Sequence, residues 1–184
     1  MKIGVMCSGS GSNFENIIER CPHHQVVLMV YNRKDCGAKK RADRLGVPSC
    51  YIKSNDEDKI IKEFKNAGVD YVVMAGWMRV VTSKLINAFP NKIINIHPSL
   101  LPKYKGLNAV QQALDNGDEI TGCSVHRVTE ELDSGEVLMQ ALVPIEENDT
   151  VETLTERIHE EEHRILPTVI NVQLLLEEVK HVKY

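Results

Sequence analysis

Asn95-Ile-His97-Pro-Ser-Leu-Leu-Pro102 puts an amide and an imidazole two residues apart at the end of an apolar run. Lys92-Ile-Ile, lying between Pro90 and Pro98, reads as a short buried strand that leads into them. Strand side chains alternate between faces, so Asn95 and His97 point the same way, where the chain enters a proline-braced loop. An amide can hold a carbonyl oxygen while an imidazole moves a proton, and the pair reads as an acyl-transfer site. Further on, Gly122-Cys-Ser-Val-His126 runs through Glu130-Glu-Leu to Asp133-Ser-Gly135. By itself an aspartate there is an ordinary turn residue. Beside His97 it gains a second use, orienting the imidazole and stabilising its protonated form, directly or through an ordered water. His126, alternating with Ser124, reads as structural.

Ser8-Gly-Ser-Gly-Ser-Asn13 lies between the first apolar run and the first helical pattern. Glycines let the backbone turn tightly and approach an anion, and a helix start offers unpaired N–H groups. Asn13 or Ser12 is placed to cap that helix, with Glu15 or Glu19 complementing its dipole. The loop is either a tight strand-to-helix turn or a phosphate cradle. A dinucleotide fingerprint fits less well. Gly9 and Gly11 match its first two glycines, but Phe14 occupies the third position and Asn32-Arg33 replaces the acidic ribose partner. Arg33 and Lys34 keep a phosphorylated dinucleotide open, while a single phosphate monoester suits the residues better.

His159-Glu-Glu-Glu-His163 satisfies the zinc-peptidase pattern of two histidines one helical turn apart. No third ligand announces itself, the surrounding helix is acidic, and Pro167 follows four residues later. A metal there would also leave Asn95, His97 and the glycine loop without a role. We read the motif as an exposed helix face with Leu154, Ile158 and Ile165 inward, and expect no metal.

The elements that must position these groups follow from the hydrophobic pattern. Strands are predicted at Ile3–Cys7, Val26–Tyr31, Ser49–Ile52, Tyr71–Ala75 and Ile93–His97, with helices at Asn13–Cys21, Gly37–Leu45, Asp56–Asn66 and Thr82–Phe89 between them. This alternation predicts an α/β fold with a mostly parallel twisted sheet and helices on both faces. A helix at Ala109–Asn116, two further strands at Gly122–Val128 and Val137–Pro144, and a helical stretch from Val151 to about Lys180 complete the chain; Pro167 should kink or split the last. With 184 residues, 42% of them hydrophobic, a single domain is expected over residues 1–184, its 1–97 portion taken as a phosphate-binding βαβ half and its 98–184 portion as a catalytic and co-substrate half. A net charge of -4 gives no general pull toward nucleic acid or anionic membranes. Five scattered cysteines without metal-like spacing suit a reducing compartment. The apolar run at Lys2–Cys7 is too short for a signal-peptide core, and a cytoplasmic location is expected.

The Asn95–Pro102 motif, Lys103-Tyr-Lys-Gly106 and the segment ending in Leu132-Asp-Ser-Gly135 resemble the 10-formyltetrahydrofolate-dependent formyltransferases. The Gly9–Asn13 loop, Ala75-Gly-Trp-Met-Arg79 and the chain length are similar to the branch that formylates the glycine amine of phosphoribosylglycinamide in purine biosynthesis. The resemblance implies a Rossmann-like fold, 10-formyltetrahydrofolate as co-substrate with no tightly bound cofactor, and no nucleic-acid or membrane partner, and it leaves a homodimer open. Asn95 would hold the formyl oxygen, His97 would act as general acid, and Asp133 would support its charge. Gly11, Ser12 and Asn13 would receive the phosphate side of the ribonucleotide and Glu162 its ribose hydroxyls. Met78, Arg79, Val80 and Val81 would meet the folate ring system together with Asn95, and Lys53 would contact the folate. The chain departs from the family pattern at Asn108 and Val110, where two histidines are usual, at Arg127, which replaces an aromatic, and at His159, which replaces a glutamine. A formyltransferase-like sensor, its catalysis slowed by the altered Asn108 and Val110, stays open.

Overall fold

The computed structural model describes residues 1–53 and 55–181. Its strands are β1 (Lys2–Cys7), β2 (Gln25–Tyr31), β3 (Ser49–Tyr51), β4 (Tyr71–Met74), β5 (Ile93–His97), β6 (Ile120–Arg127) and β7 (Val137–Pro144). They form one sheet in the order β3-β2-β1-β4-β5-β6-β7. The first five run parallel, whereas β6 pairs antiparallel with both β5 and β7. This is the Rossmann-like sheet expected, with an antiparallel addition at its C-terminal side. Strand ends differ only slightly from the sequence pattern: β3 and β4 stop one residue early and β6 begins two residues sooner.

The helices are α1 (Ser12–Arg20), α2 (Gly37–Leu45), α3 (Glu57–Asn66), α4 (Ser83–Ala88), α5 (Ala109–Asp115) and α6 (Val151–His181). Alternation along the central strands sorts them between two cores. Ile3, Val5, Tyr71 and Val73 face one cluster, with Phe14 and Ile17 of α1, Ala38 of α2 and Ile158 of α6. Met6, Val72 and Met74 face the other, with Ile60 and Phe64 of α3 and Leu85 of α4. A parallel strand covered on both sides must be apolar at successive positions, which is why β1 and β4 read as continuous hydrophobic runs. Gly4 is the exception, because a side chain there would come within 2.7 Å of the Phe64 ring. No helix among the described residues is long and apolar enough to cross a membrane.

Two expectations about helix ends are corrected. Neither Ser12 nor Asn13 caps α1: the capping position is Gly11, in the left-handed region at φ 76°, with no side-chain cap. The Asn13 amide instead donates to Glu162 Oε2 at 2.9 Å. Nor does Pro167 split the last helix, which is continuous from Val151 to His181. A proline lacks the N–H that would bond the carbonyl four residues back, here that of His163. That carbonyl is taken by the Asn16 side-chain amide of α1 at 2.6 Å, so the interruption becomes a bond between helices. Asn16→Ala should therefore destabilise the chain by about 1–2 kcal/mol in urea unfolding. In a Pro167→Ala background the restored N–H can take the His163 carbonyl, and Asn16→Ala should cost measurably less. Equal costs in the two backgrounds would show that Asn16 does not act through that carbonyl.

Candidate active site

Strand order reverses beside β1, whose neighbours β2 and β4 lie on opposite sides. The connections after β1 and β4 diverge there and leave a crevice at the carboxyl edge of the sheet. It holds a cavity of about 700 Å³, walled at one side by Gly9–Asn13 and at the other by Asn95, His97 and Asp133. Residues from both sides of position 97 line it.

The glycine loop is held by backbone contacts. Gly11 needs its positive φ, and a Cβ there would fall 2.6 Å from Ala38 Cα. The Ala38 N–H donates to the Gly9 carbonyl at 3.1 Å, and Arg41 Nε donates to that of Ser10 at 2.9 Å. Beside the loop, Ser12 Oγ lies 3.1 Å from His163 Nε2. Asn13, bonded to Glu162, leaves its Oδ1 buried without a protein partner. Burial pushes the Glu162 carboxyl above the usual range, opposed by His159 and the Asn13 bond. Burial also lowers the His163 ring, and the positive groups at His159, Arg20 and Arg41 add to the effect.

At the other wall, β5 presents Asn95 and His97 on one face, as the alternation required, and β6 supplies a third group. Register places His126 directly opposite Asn95, with the Asn95 amide nitrogen 3.2 Å from His126 Nε2. His126 Nδ1 donates to the Arg127 carbonyl at 2.9 Å, which turns Nε2 toward both the Asn95 amide and Asp133. His97 Nε2 donates to the Tyr104 carbonyl at 2.8 Å. Its Nδ1 lies 3.4 Å from Asp133 Oδ2, and the other carboxylate oxygen lies 3.4 Å from His126 Nε2. The Gly106 N–H completes the set, donating to Asp133 Oδ2 at 2.8 Å. Burial raises the Asp133 carboxyl, but its bond with His126, the Gly106 N–H and the two neighbouring rings outweigh this and hold it below the ordinary value. His126, read from the sequence as structural, touches both Asn95 and Asp133.

Met78, Arg79, Val80 and Val81 line the cavity between the two walls. The Met78 N–H donates to Ser8 Oγ at 2.9 Å, and the Asn55 amide donates to the Val80 carbonyl at 2.9 Å. Buried Glu57 accepts from the Thr82 N–H at 2.7 Å and from its hydroxyl at 2.6 Å, fixing the start of α4. Sequence reasoning missed Asn55 and Glu57, because polar residues around a helix start look like ordinary capping residues. Lys53 is exposed and is not among the residues that line this cavity. The His159 and His163 rings stack at 6.5 Å with 21° between planes, and no metal-binding cluster occurs among the described residues. Leu154, Ile158 and Ile165 do face inward.

A formyl transferase family model matches residues 1–170. The chain belongs to the formyl transferase family. It is 39% identical over 182 residues to the phosphoribosylglycinamide formyltransferase of Escherichia coli K12, covering 93% of this chain and 86% of that protein. It is also 38% identical over 184 residues to the trifunctional purine biosynthetic protein adenosine-3 of Chironomus tentans, covering 93% of this chain but 13% of that longer protein. The crystal structure of glycinamide ribonucleotide transformylase 1 from Symbiobacterium toebii superposes with a TM-score of 0.90 at 41% identity, covering 93% of this chain and 86% of that one. In this formyl transferase the departures fall at different depths. Val110 and Asn108 line the cavity, as does His159. Arg127 turns away, donating to Glu136, the Tyr71 hydroxyl, the Asn91 carbonyl and Gln173 at 2.7–3.2 Å.

Because the folded chain holds Asp133 below its unfolded value, the folded carboxyl binds a proton more weakly than the unfolded one. Its stabilisation is complete above the unfolded value and disappears as pH falls through the folded one. Urea unfolding of Asp133→Asn between about pH 2.5 and 5 should therefore show a weaker acid dependence than the parent chain. Parallel declines in the two proteins would assign the acid sensitivity elsewhere.

Proposed function

We propose that this formyl transferase moves the formyl group of 10-formyltetrahydrofolate to the glycine amine of phosphoribosylglycinamide. The observation that carries the reading is one cavity with an anion-ready glycine loop at one wall and an amide, an imidazole and a buried carboxylate at the other. Placing the loop and the polar trio at different walls of one cavity suits a substrate whose phosphate and reacting amine lie at opposite ends. The Met78–Val81 segment offers backbone groups and apolar side chains for a flat heterocycle.

In the proposed reaction the neutral amine attacks the formyl carbon, forming a carbon–nitrogen bond and a tetrahedral oxyanion. Asn95 has one amide hydrogen directed at His126 and a second left for that oxygen. Removing such a donor typically costs about 10² to 10³ in rate. His97 has Nε2 committed to a carbonyl, so Nδ1 is the nitrogen left to exchange protons. Its 3.4 Å separation from Asp133 is longer than a direct charged hydrogen bond, so Nδ1 can turn to a reacting oxygen or a water that approaches from the cavity side. As the carbon–N10 bond breaks, the proton lost by the amine goes to the folate nitrogen through His97 or that water. The folate supplies an activated formyl group, and no covalent enzyme intermediate is required. Gly11, Ser12 and Asn13 take the phosphate side and Glu162 the ribose hydroxyls, where the free Asn13 Oδ1 offers a further acceptor.

Tetrahydrofolate release should depend on phosphoribosylglycinamide; release at the same rate without it would replace this reading with hydrolysis, and no release would favour a sensor. His97→Asn should lower kcat by about 10² to 10⁴ with little change in KM for the ribonucleotide. Near-parental turnover in that variant would reject the role assigned to His97.

A further inference from the structure

The cations around the glycine loop are not equivalent. Arg41 donates to the Ser10 carbonyl and pairs with Glu15, and Arg44 pairs with the same carboxylate. Lys39 pairs with Asp43, and Lys34 lies over the Tyr51 ring at 5.7 Å. Arg33 differs from all of these. It is exposed, lines the cavity beside Gly9–Asn13, and its guanidinium makes no hydrogen bond or ion pair among the described residues.

The turn that carries Arg33 is packed against the loop. The Cys36 N–H donates to the Arg33 carbonyl at 3.3 Å, and a Cβ on Gly37 would lie 2.7 Å from the Ser10 carbonyl oxygen. With Ala38 bonded to Gly9, residues 33–38 and 9–13 form one surface. The other cations named around that surface are already engaged by carboxylates or a ring. Glu162 is a nearby acid, and burial lowers the affinity of the neighbouring His163 ring for a proton. The loop's own donors are backbone N–H groups, which bind phosphate but carry only partial charge. A phosphate monoester has a second ionisation near pH 6 and is close to dianionic at neutral pH.

We propose that Arg33 pairs with the substrate phosphate across the glycine loop and selects the phosphorylated amine over its unphosphorylated riboside. The proposal rests on the formyl-transfer reading for the identity of that substrate. A guanidinium can give two parallel hydrogen bonds to phosphate oxygens, a geometry a lysine does not reproduce.

The test compares the parent chain with Arg33→Ala and Arg33→Lys, using phosphoribosylglycinamide and glycinamide riboside. For the phosphorylated substrate, Arg33→Ala should raise KM about tenfold or more while kcat stays within about twofold. Arg33→Lys should recover part of the loss. The riboside should react equally poorly with all three proteins, and KM for the formyl donor should not move. An unchanged KM for the phosphorylated substrate, or an equal loss for both amines, overturns the assignment. Calorimetric binding of phosphoribosylglycinamide without folate separates this proposal from the reading beneath it. Binding that weakens about tenfold in Arg33→Ala supports the assignment even if the parent chain transfers no formyl group, an outcome that would sink the transfer reading alone. Equal binding by parent and variant rejects the role of Arg33.

Discussion

The site depends on one buried anion. Asp133, with its side chain 7% exposed, can stay ionised in the crevice only if donors surround it. Two histidine rings and the Gly106 N–H do so, and each arrives from a different segment. Asp133 itself sits at φ 49°, a backbone region that costs a non-glycine residue free energy and persists only where its surroundings enforce it. A Cβ on nearby Gly135 would come within 1.9 Å of the Arg127 carbonyl oxygen, so that turn leaves no room for a side chain. The Lys105–Ser134 bond at 2.6 Å ties the same two loops together on the outside. Loop conformation and carboxylate placement are therefore one constraint.

The antiparallel addition to the sheet serves that constraint. Cross-strand neighbours in an antiparallel pair stand directly opposite one another on the same face. The β5–β6 register sets Asn95 against His126 and His97 against Ser124. A slip of one residue would turn His126 to the face buried under α6 and leave the Asn95 amide without its partner ring. Ser124 meanwhile donates to the Ser99 carbonyl at 2.6 Å and accepts from the Leu101 N–H at 3.1 Å, anchoring the proline loop. Thus β6 orients the amide and braces the segment that carries Tyr104 back to His97.

The parallel half of the fold was legible because its strands are apolar on both faces and its helices alternate with them. Asn95 and His97 were legible for a related reason: two residues on a strand share a face whatever the rest of the chain does. Asp133 lay further from inference. Its place depends on a left-handed turn and on the facing loop around Gly106, neither of which has a sequence period. The contacts of His126 were not legible because cross-strand register fixes them, and register cannot be read from one strand. The helix ends failed on tertiary grounds. Asn13 has the chemistry of a cap but finds a buried carboxylate 149 positions away, and Pro167 loses a hydrogen bond that a neighbouring helix replaces. Lys53 was placed by resemblance across a variable segment, with no local geometry to fix it.

Two carboxylates with buried side chains, Asp133 and Glu162, lie along this cavity, and burial acts on both in the same direction. Their partners separate them. Asp133 meets an N–H and two imidazoles and stays below the ordinary range. Glu162 meets one amide at 2.9 Å and a histidine only at 4.0 Å, and burial prevails. A carboxylate already saturated by donors is suited to holding a cationic imidazole in place. One that is buried but poorly supplied gains most from hydroxyl donors brought by a ligand, as does the partnerless Asn13 Oδ1 beside it. On the proposed reading the difference in donors, not in side-chain type, divides the cavity into a proton-handling end and a sugar-binding end.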